Sequence, residues 1–414
     1  MIMATMKPFQ SIRPRAALAS KIAALPYDVY NSNEAREIVF GNKYSFLKID
    51  RAETLLPEGT DIYSPEVYTK ARETFEQMIA SGDFVQDMQE CLYIYQLTMD
   101  DHTQTGIVGC ASIDEYLNGT IKKHENTRAD KELDRIRHVD ALSAQTGPIF
   151  LAYRANEKLR AILKKETAKY PLYDFISEDG IGHAVWQIHN QNTIEQIQQI
   201  FAEIPSLYIA DGHHRAASAV KVGLKRREEH PGHDGSEEFN YFLSVAFADD
   251  ELRIFDYNRV VKDLNHLSKK EFLAALEEIF EVTPNGEEPV RPAEKGCFGM
   301  YLGWQWYHLK LRDKFASDDP VRGLDVSILQ NLVLKPLLGI EDPKTDERIR
   351  FIGGIRGLDY LSECADRQID GVAFSMYPTS MEELLAVADA GRLMPPKSTW
   401  FEPKLRSGLF IHKF

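Results

Sequence analysis

A short segment near the middle of the chain carries the densest set of chemically useful side chains. It reads YIADGHHRA over residues 208–216. The apolar residues before Asp211 predict a buried strand, and the apolar spacing from Ala216 to Leu224 predicts a helix after it. Gly212 permits a left-handed turn between the two. The segment therefore predicts a strand, a tight turn and a helix N-terminus.

Such a turn suits an anion. Backbone N–H groups and the dipole at a helix N-terminus attract negative charge, and a guanidinium adds to that attraction. We predict that Gly212, His213, His214 and Arg215 bind phosphate, and that Asp211 binds a divalent cation or accepts a proton. The residues alone also permit an ordinary helix start with a solvated His-His-Arg turn.

A second polar stretch lies upstream, over residues 122–140. It contains His124 and Glu125 in a predicted loop, a common position for chemistry on a rigid scaffold. On the helix predicted to follow, Asp134 and His138 are four residues apart and share one face. Composition favours a solvated helix with surface ion pairs here. His124, His213 and His214 leave a zinc site open, although no ligand spacing typical of zinc is present.

A third segment lies near the C-terminus and reads MPPKSTWFEPKLRSGLF over residues 394–410. It combines cations with hydroxyl groups in an otherwise acidic protein, which predicts a clamp for a substrate or phosphate anion. The predicted clamp residues are Lys397, Ser398, Thr399, Lys404 and Arg406. The alternative is a proline-rich tail that docks its aromatic residues in the core and leaves its cations in water.

The elements around these segments indicate an α/β (α+β) protein with a mixed sheet. Residues 64–82 have the spacing of an amphipathic helix, and residues 91–98 and 105–116 predict an antiparallel hairpin. A second hairpin is predicted over 241–261, with its turn at 248–251. No GxxxxGK[ST] loop is present, so the common nucleotide-binding folds, the Rossmann core included, are not expected.

The length of the chain predicts more than one folded unit, since its 414 residues correspond to two or three domains of roughly 150 residues. Residues 284–294 hold three prolines and three glutamates, as expected of a linker or surface loop. We predict an N-terminal α/β region over 1–120, a core over 121–283 that holds the first two polar segments, and a C-terminal α/β region over 284–414.

The charge and the cysteine content limit which partners and which covalent or metal links the chain is expected to have. The chain has 49 Lys and Arg against 63 Asp and Glu, a net charge of −14, which disfavours nucleic acid. Its four cysteines are far apart, so neither a disulfide framework nor a thiolate zinc site is expected. Neither a signal peptide nor a membrane span is evident. We expect a cytoplasmic protein without nucleic-acid or membrane partners, and the oligomeric state is not indicated.

Several of these segments together resemble a known family, the domain-of-unknown-function family 1015 (DUF1015). The resemblance is carried by LPYDV at 25–29, KHENT at 123–127, DR at 134–135, ADGHHR at 210–215 and the C-terminal segment at 394–410. The central part is similar to the ParB and sulfiredoxin superfamily, and within it to free-serine kinases. Those kinases have a His-Glu loop upstream and a DGH[HT]R box downstream.

The resemblance implies a role for each matched residue. Glu125 corresponds to the proposed base for the serine hydroxyl, with His124 beside it, and Asp211 corresponds to the box aspartate. His213, His214 and Arg215 correspond to the positions that hold phosphate. Sulfiredoxins have a catalytic cysteine where this chain has His213, so their sulfinic-acid chemistry is not expected.

The implied function is that of a small-molecule kinase. It would phosphorylate free L-serine to O-phosphoserine with ATP or ADP as donor and Mg²⁺ as cofactor, held at Asp211. Its partners would then be a nucleotide and a small amino acid. The alternative is a regulatory switch of the ParB type, which binds a nucleotide without transferring phosphate to a metabolite. The acidic composition disfavours a nuclease.

Overall fold

The structure is a computed structural model that describes residues 4–368 and 371–414. The chain forms two compact units. Of the described residues, the first unit holds 4–123, 127–252 and 403–414. The second holds 124–126, 253–368 and 371–402. The chain therefore leaves the first unit and returns to it for its last twelve residues.

Most strands of the first unit form one eight-stranded sheet, with a two-stranded ribbon, β1–β2, beside it. The strands up to the point where the chain leaves this unit are β1 (Ile12–Pro14), β2 (Phe84–Gln86), β3 (Leu92–Met99), β4 (His102–Ser112), β5 (Ile121–Lys122), β6 (Ala144–Gln145), β7 (Ile149–Tyr153), β8 (Tyr173–Ile176), β9 (Gly182–Ile188), β10 (Leu207–Asp211) and β11 (Tyr241–Ala248). The order in the sheet is β5-β10-β7-β11-β4-β3-β9-β8. The pairs β10–β5 and β11–β7 are parallel and the others antiparallel, which confirms the predicted mixed sheet.

The strand that leads to the DGHHR box is irregular at its end. Tyr208 pairs with Ala152 and Ile209 with Leu151, but Asp211 pairs with Phe150, because the register shifts between Ile209 and Asp211. A bulge of this kind bends a strand and changes the direction of the side chains that follow. Ala210 is the extra residue without a partner in the ladder, and Asp211 follows directly after this bulge.

The helices of the first unit have recognisable sequence signals. They are α1 (Ala19–Ile22), α2 (Ser32–Gly41), α3 (Leu47–Asp50), α4 (Pro65–Ala80), α5 (Ile113–Asn118), α6 (Ala129–Leu142), α7 (Glu157–Thr167), α8 (Gln191–Phe201) and α9 (His213–Glu229). In α8 the isoleucines at 194, 197 and 200 are buried, and the Asn190 side chain accepts a hydrogen bond from the Thr193 N–H at 3.0 Å. An apolar stripe and an N-terminal cap together specify this helix.

Two apolar clusters form the core of the first unit. One packs residues of α7, α8 and α9 with residues of the large sheet, including Leu159, Ile197 and Ala219. The other packs α3 and α4 with Leu142 of α6 and with Ile411 from the returning residues 403–414. The C-terminal segment is thus part of the core of this unit.

The second unit is built on a six-stranded antiparallel sheet, with order β14-β16-β15-β18-β13-β17. Its strands are β12 (Ile254–Phe255), β13 (Tyr257–Val261), β14 (Phe280–Gly286), β15 (Cys297–Leu302), β16 (Trp306–Leu311), β17 (Ile349–Gly353), β18 (Val372–Ser375) and β19 (Trp400–Phe401). Its helices are α10 (Lys269–Glu277), α11 (Asp325–Leu329), α12 (Gly357–Asp366) and α13 (Met381–Asp389). β12 pairs with β19. The last strand of the chain, β20 (His412–Lys413), belongs to the first unit and pairs with β6.

One of the two predicted hairpins is present. β3 and β4 pair antiparallel, with Tyr93 opposite Val108, which confirms the first. The prediction of a hairpin over 241–261 is wrong, because β11 lies in the eight-stranded sheet and β13 in the six-stranded one. Each strand pairs along all or almost all of its length with another strand, β11 with β4 and β13 with β17. The residues predicted as a turn instead lead the chain from one unit toward the other.

The structure bears on three further expectations, which concern the domain boundary, the cysteines and a membrane span. The sequence-based boundary near 284 falls inside the second unit, within β14. All four cysteines are free, which confirms that they form no disulfide. Among the described residues, no helix has the length and apolar character needed to cross a membrane.

The packing of α8 predicts the effect of truncating its central isoleucine. Ile197 is fully buried, so Ile197→Ala should destabilise the first unit by about 2 to 5 kcal/mol through lost burial and the cavity left behind. The thermal unfolding transition, followed by circular dichroism, measures this. Ile176→Ala is the matched control, because Ile176 is 75% exposed and a change there should shift stability by about 0.5 kcal/mol or less. Equal shifts in the two variants would contradict the assignment of α8 to the core.

Candidate functional site

The DGHHR box forms the strand, turn and helix that the sequence predicts. β10 ends at Asp211, Gly212 has φ 90° and ψ 31°, and α9 begins at His213. A Cβ atom at position 212 would lie 3.0 Å from Nε and Nη2 of Arg215. Glycine is therefore required both for the left-handed turn and for the close approach of the guanidinium.

Asp211 is the electrostatic centre of this turn. Its Oδ1 accepts a hydrogen bond from the Gly212 N–H at 2.7 Å. Its Oδ2 lies 3.3 Å from Nζ of Lys404 and 4.0 Å from Nη2 of Arg215. The side chain remains 36% exposed. One carboxylate therefore holds two cations at the N-terminus of a 17-residue helix.

These contacts keep Asp211 ionised. Burial by itself would raise the pKa of Asp211, but the charges of Lys404 and Arg215 and the hydrogen bond from the Gly212 N–H hold that pKa well below its usual range. The carboxylate stays negative at any physiological pH. It is a poor general base in this state, because a strongly depressed pKa leaves little affinity for a proton.

The three residues that open α9 have different surroundings. His213 is buried, whereas His214 and Arg215 are partly exposed. The Arg128 N–H donates a hydrogen bond to Nε2 of His214 at 2.9 Å. That nitrogen therefore acts as an acceptor, so a neutral His214 carries its proton on Nδ1. The loop before α6 thus fixes the tautomer of one box histidine.

Arg215 is held by the backbone that precedes β7. Its Nη1 donates to the Pro148 carbonyl at 2.6 Å. A Cβ atom at Gly147 would lie 3.5 Å from the same nitrogen and 2.9 Å from Oγ of Ser407. Gly147 therefore allows the Arg215 guanidinium to pack closely beside the backbone that precedes β7 and near Ser407 of the C-terminal segment.

Helix α6 is not the solvated helix that its composition favours. It packs against α4 and α9. Asp134 and Arg135 are both buried and form an ion pair at 2.7 Å, and His138 is buried as well. The prediction of surface ion pairs is wrong for these residues, because the face shared by Asp134 and His138 turns inward. Charged residues can occupy such a face when each finds a partner.

The first unit also receives the second half of the C-terminal segment. Lys404 reaches Asp211, as described above. Arg406 is buried, donates from Nη2 to Oγ of Ser177 at 3.1 Å, and pairs with Asp179 at 2.5 Å. Of the three cations of the predicted clamp, the two in this half of the segment therefore have different partners, and Lys404 is the one beside the box.

His183 lies next to Arg406 in the same buried cluster. Its Nδ1 is 2.8 Å from the hydroxyl of Tyr95, and its Nε2 accepts from Nε of Arg406 at 3.3 Å. Burial and the charge of Arg406 lower the pKa of His183 to about 3, against the opposing charge of Asp179. The imidazole is therefore neutral in the folded protein over the whole physiological range.

The second unit contains the first half of the C-terminal segment together with the His-Glu loop. The Met394 N–H donates to the His124 carbonyl at 2.8 Å, and Oγ1 of Thr399 lies 3.4 Å from Nε2 of His124. Glu125 follows in the same unit. Two segments that the sequence separates by some 270 residues are thus neighbours here.

Ser398 and Lys397 form part of a tight turn in this segment. Oγ of Ser398 donates to the Pro395 carbonyl at 2.7 Å, and Ser398 is buried. Lys397 has φ 59°, and its carbonyl accepts a hydrogen bond from Nη2 of the buried Arg259 at 3.0 Å. The hydroxyl of Ser398 therefore has a local structural role, whatever it contributes to a ligand.

Site residues predicted from the sequence fall into two groups. Asp211, Gly212, Arg215 and Lys404 meet in the first unit, and His124 meets Thr399 in the second. That Glu125 and Asp211 act on one substrate stays a prediction. Sequence reasoning missed Asp179, His183 and Arg259, because each is an isolated residue in an ordinary strand or loop. Only the fold places Asp179 and the buried His183 against Arg406, and the buried Arg259 against the Lys397 carbonyl.

Comparison with known proteins gives a family match over most of the chain. Residues 6–327 match the family described as "Protein of unknown function (DUF1015)". No curated protein matches the sequence significantly.

Solved structures show distant likeness. One is a free serine kinase in complex with AMP, with 16% identity, coverage of 73% of this chain and 91% of that one, and a TM-score of 0.36. Another is a conserved hypothetical protein from Pyrococcus furiosus, with 15% identity, coverage of 74% and 94%, and a TM-score of 0.35. A third is SbnI with a C-terminal truncation from Staphylococcus aureus, with 12% identity, coverage of 73% and 87%, and a TM-score of 0.36.

The lowered pKa of His183 predicts how stability depends on pH. An unfolded histidine gains a proton below about pH 6.5, whereas folded His183 gains one only near pH 3. Between these values the unfolded state binds more protons, so acidification destabilises the fold, by at most about 1.4 kcal/mol per pH unit from this group. The contribution is fully present above about pH 6.5. Denaturant unfolding between pH 6.5 and 4.5 measures it.

A variant without the imidazole isolates this effect. His183→Gln should reduce the slope of the free energy of unfolding against pH in that window, leaving the part that other groups such as His138 contribute. His189→Gln is the matched control, since His189 is exposed, and it should keep the parental slope. A parental slope in His183→Gln would show that the buried imidazole is not the titrating group.

Proposed function

The chain belongs to the DUF1015 family, and from the geometry of its DGHHR box we propose that it is a phosphotransferase that converts free L-serine to O-phosphoserine with ATP or ADP as donor. The observation that carries the proposal is the turn at Asp211, where Lys404 and Arg215 lie 3.3 and 4.0 Å from one carboxylate at a helix N-terminus. Phosphoryl transfer depends on positioning and on stabilising negative charge, and this turn offers both.

The turn is suited to polyphosphate. Glycine at the N-cap has no side chain to fill the approach to α9, and the helix dipole favours an anion there. Lys404 and Arg215 share one carboxylate, so together the three groups carry a net positive charge. Nucleotide phosphates would compete with Asp211 for Lys404, while Gly212, His213, His214 and Arg215 form the predicted phosphate contacts.

Magnesium enters the proposal with the nucleotide. The carboxylate of Asp211 is the metal ligand predicted from the sequence. With two cations already beside it, that carboxylate does not by itself attract a bare divalent ion. We propose that the ion is carried on the phosphates of MgATP or MgADP, whose charge Lys404 and Arg215 would offset. Asp211 would then orient this complex.

The acceptor needs a group that takes the hydroxyl proton. The resemblance to free-serine kinases assigns this to Glu125, with His124 beside it, and the depressed pKa of Asp211 disfavours that carboxylate for the role. In the proposed step the serine oxygen bonds to the terminal phosphorus, and the bond from that phosphorus to the bridging oxygen breaks. The proton of the serine hydroxyl passes to Glu125. ADP leaves when ATP is the donor, and AMP leaves when ADP is the donor.

The remaining clamp residues contribute in different ways. Lys404 binds phosphate in this proposal. Lys397 and Thr399 are proposed substrate contacts of the second unit, with Ser398 shaping their turn. Arg406, buried against Asp179, would hold the segment that carries Lys404 rather than bind a ligand itself.

The experiment is direct detection of product. The full-length protein is incubated with L-serine, magnesium and either ATP or ADP, and phosphoserine and the nucleotide product are measured by mass spectrometry. We expect phosphoserine with at least one donor. Nucleotide binding that never depends on an amino acid and never yields phosphoserine would replace the kinase by a ParB-type switch.

Replacing the proposed base should separate chemistry from donor binding. Glu125→Gln should reduce kcat on the order of 100- to 10,000-fold, the usual range for a general base, with a donor KM close to the parental value. Steady-state kinetics with varied ATP or ADP gives both numbers. Turnover at the parental rate would require withdrawing this role for Glu125.

Replacing Lys404, the lysine beside the box, should change the donor KM, in contrast to the effect on kcat expected for Glu125→Gln. Lys404→Met keeps the apolar stem but removes the charge, so the donor KM should rise on the order of 10- to 100-fold because a charge-assisted phosphate contact is lost. Lys413→Met, at an exposed lysine of the stretch 403–414 that also holds Lys404, serves as the control. An unchanged donor KM in Lys404→Met would exclude this lysine from the nucleotide site.

A further inference from the structure

A cavity in the first unit is lined in part by Arg215 of the box. Its volume is about 30 Å³. The polar and charged residues on its wall include Tyr27, Asp50, Arg135, His138, Thr146 and Arg215. Several come from segments that carry the family resemblance, LPYDV, DR and ADGHHR. The cavity brings these separate segments to one place, next to a residue of the proposed phosphate site.

Asp50 is the unusual member of this wall. Its side chain is only 4% exposed. Its Oδ1 accepts a hydrogen bond from Oγ1 of Thr146 at 2.9 Å. Among the described residues, the only basic side-chain nitrogen within 4.0 Å of the Asp50 carboxylate is Nε2 of His138, which lies 3.8 Å from Oδ1. A buried carboxylate is costly unless a cation or several donors compensate its charge.

His138 does not supply that cation. Its Nε2 lies 3.1 Å from the Ile49 carbonyl, which can only accept, so this nitrogen carries a proton and donates to the backbone. Burial and the charge of Arg135 lower the pKa of His138, against the opposing charge of Asp50. The imidazole is neutral at neutral pH, so among the described residues no charged cation lies within ion-pair distance of Asp50, although the charge of Arg135 acts on it from farther away.

The two arginines on the wall are differently engaged. Arg135 donates from Nε to Oδ2 of Asp134 at 2.8 Å and stacks over the ring of Tyr27 at 3.9 Å, so its charge is already compensated. Arg215 donates to a backbone carbonyl and lies 4.0 Å from Asp211, beyond hydrogen-bonding distance. The cavity therefore presents one under-compensated carboxylate and one guanidinium with capacity for a further acceptor.

We infer that this cavity binds the amino-acid end of a small zwitterionic acceptor, with its α-ammonium on Asp50 and its α-carboxylate on Arg215. The inference rests on the proposed kinase function and identifies where that enzyme would hold L-serine. Arg215 would then contact both substrates, the nucleotide phosphates on one side and the acceptor carboxylate on the other. A shared guanidinium fixes the two relative to each other, which favours in-line transfer.

The wall selects against other ligands. A simple anion such as inorganic phosphate would meet the negative charge of Asp50 in a buried site, which is repulsive. The volume, enough for about two water-sized groups, is too small for a nucleotide base and leaves room only for the charged end groups of a small acceptor. Apolar residues such as Ile149 and Ala219 complete the lining, so a long polar side chain would leave groups unsatisfied.

The first test uses the unmodified full-length protein and direct binding. Isothermal titration calorimetry compares L-serine with 3-hydroxypropionate, which lacks the ammonium, and with ethanolamine, which lacks the carboxylate. Each is titrated alone and with a non-hydrolysable ATP analogue. We expect L-serine to bind at least 10-fold more tightly than either analogue. Equal affinity for 3-hydroxypropionate, or no binding of L-serine in either condition, would overturn the inference.

The second test changes the cavity. Asp50→Asn keeps the shape but removes the charge, so L-serine should bind on the order of 10- to 100-fold more weakly, while 3-hydroxypropionate, which has no ammonium to lose, should bind as well as or better than before. General damage would not invert this preference. Asp174→Asn, at an exposed aspartate of the same unit, is the matched control. Retention of the parental serine affinity and preference in Asp50→Asn would overturn the inference.

A second variant tests the cavity independently, so that the result does not depend on whether Asp50→Asn folds. It narrows the cavity and removes no charge. Gly147→Ala would place its Cβ 2.9 Å from Oγ of Ser407 and 3.5 Å from Nη1 of Arg215. It should weaken L-serine binding by at least several-fold, and thermal unfolding confirms that it folds. Unchanged serine binding in this variant would count against the cavity.

The outcomes separate this inference from the proposed function. Suppose that phosphoserine forms, but that serine affinity depends neither on Asp50 nor on the ammonium group of the ligand. The kinase assignment would then stand, and the cavity would be excluded as the serine site. Zwitterion-dependent binding at the cavity without any phosphoserine would support the cavity and exclude the kinase assignment.

Discussion

The contact between Asp211 and Lys404 joins residues 193 positions apart and organises the proposed phosphate site. It exists only because the last residues of the chain return to the first unit after the whole of the second has been built. That return is fixed by backbone pairing. The Ser407 N–H donates to the Ala24 carbonyl at 2.8 Å, and the Ile411 N–H donates to the Ile12 carbonyl at 2.9 Å. Cooperative main-chain hydrogen bonds and buried apolar residues thus position a single cation.

The same return explains how this unit accommodates buried charge. Gly408, with φ 83°, passes so close to Phe46 that a Cβ would lie 2.5 Å from the ring, and its N–H donates to the Thr146 carbonyl at 3.0 Å. Arg406 on this segment is buried, and Asp179, which stays partly in solvent, compensates its charge. Most buried charges in the region are paired in this way, and pairing is what makes their burial tolerable. Asp50 stands out because its counter-charge is incomplete among the described residues, and this contrast gives the cavity its chemical character.

Local features could be predicted because neighbouring residues decide them. The turn at Gly212, the helix after it and the hairpin of β3 and β4 follow from turn chemistry and from periods of two and 3.6 residues. The hairpin predicted over 241–261 failed because alternation identifies a strand but not its partner. The surface assignment of α6 failed for a related reason. Composition shows that a helix is charged, whereas burial depends on which helices pack on it.

By itself, the sequence determined the mixed α/β character, the absence of disulfides, the box at residues 210–215 and the family resemblance, because each depends on residue types and short spacings. Only the tertiary structure decided that Lys404, rather than Arg406, meets Asp211, and that Thr399 lies beside His124. It also decided that the LPYDV and DR segments line one cavity with Arg215. These outcomes depend on contacts between residues far apart in the chain, whose geometry is set by packing and backbone pairing across the whole unit, and no local pattern encodes the distances involved.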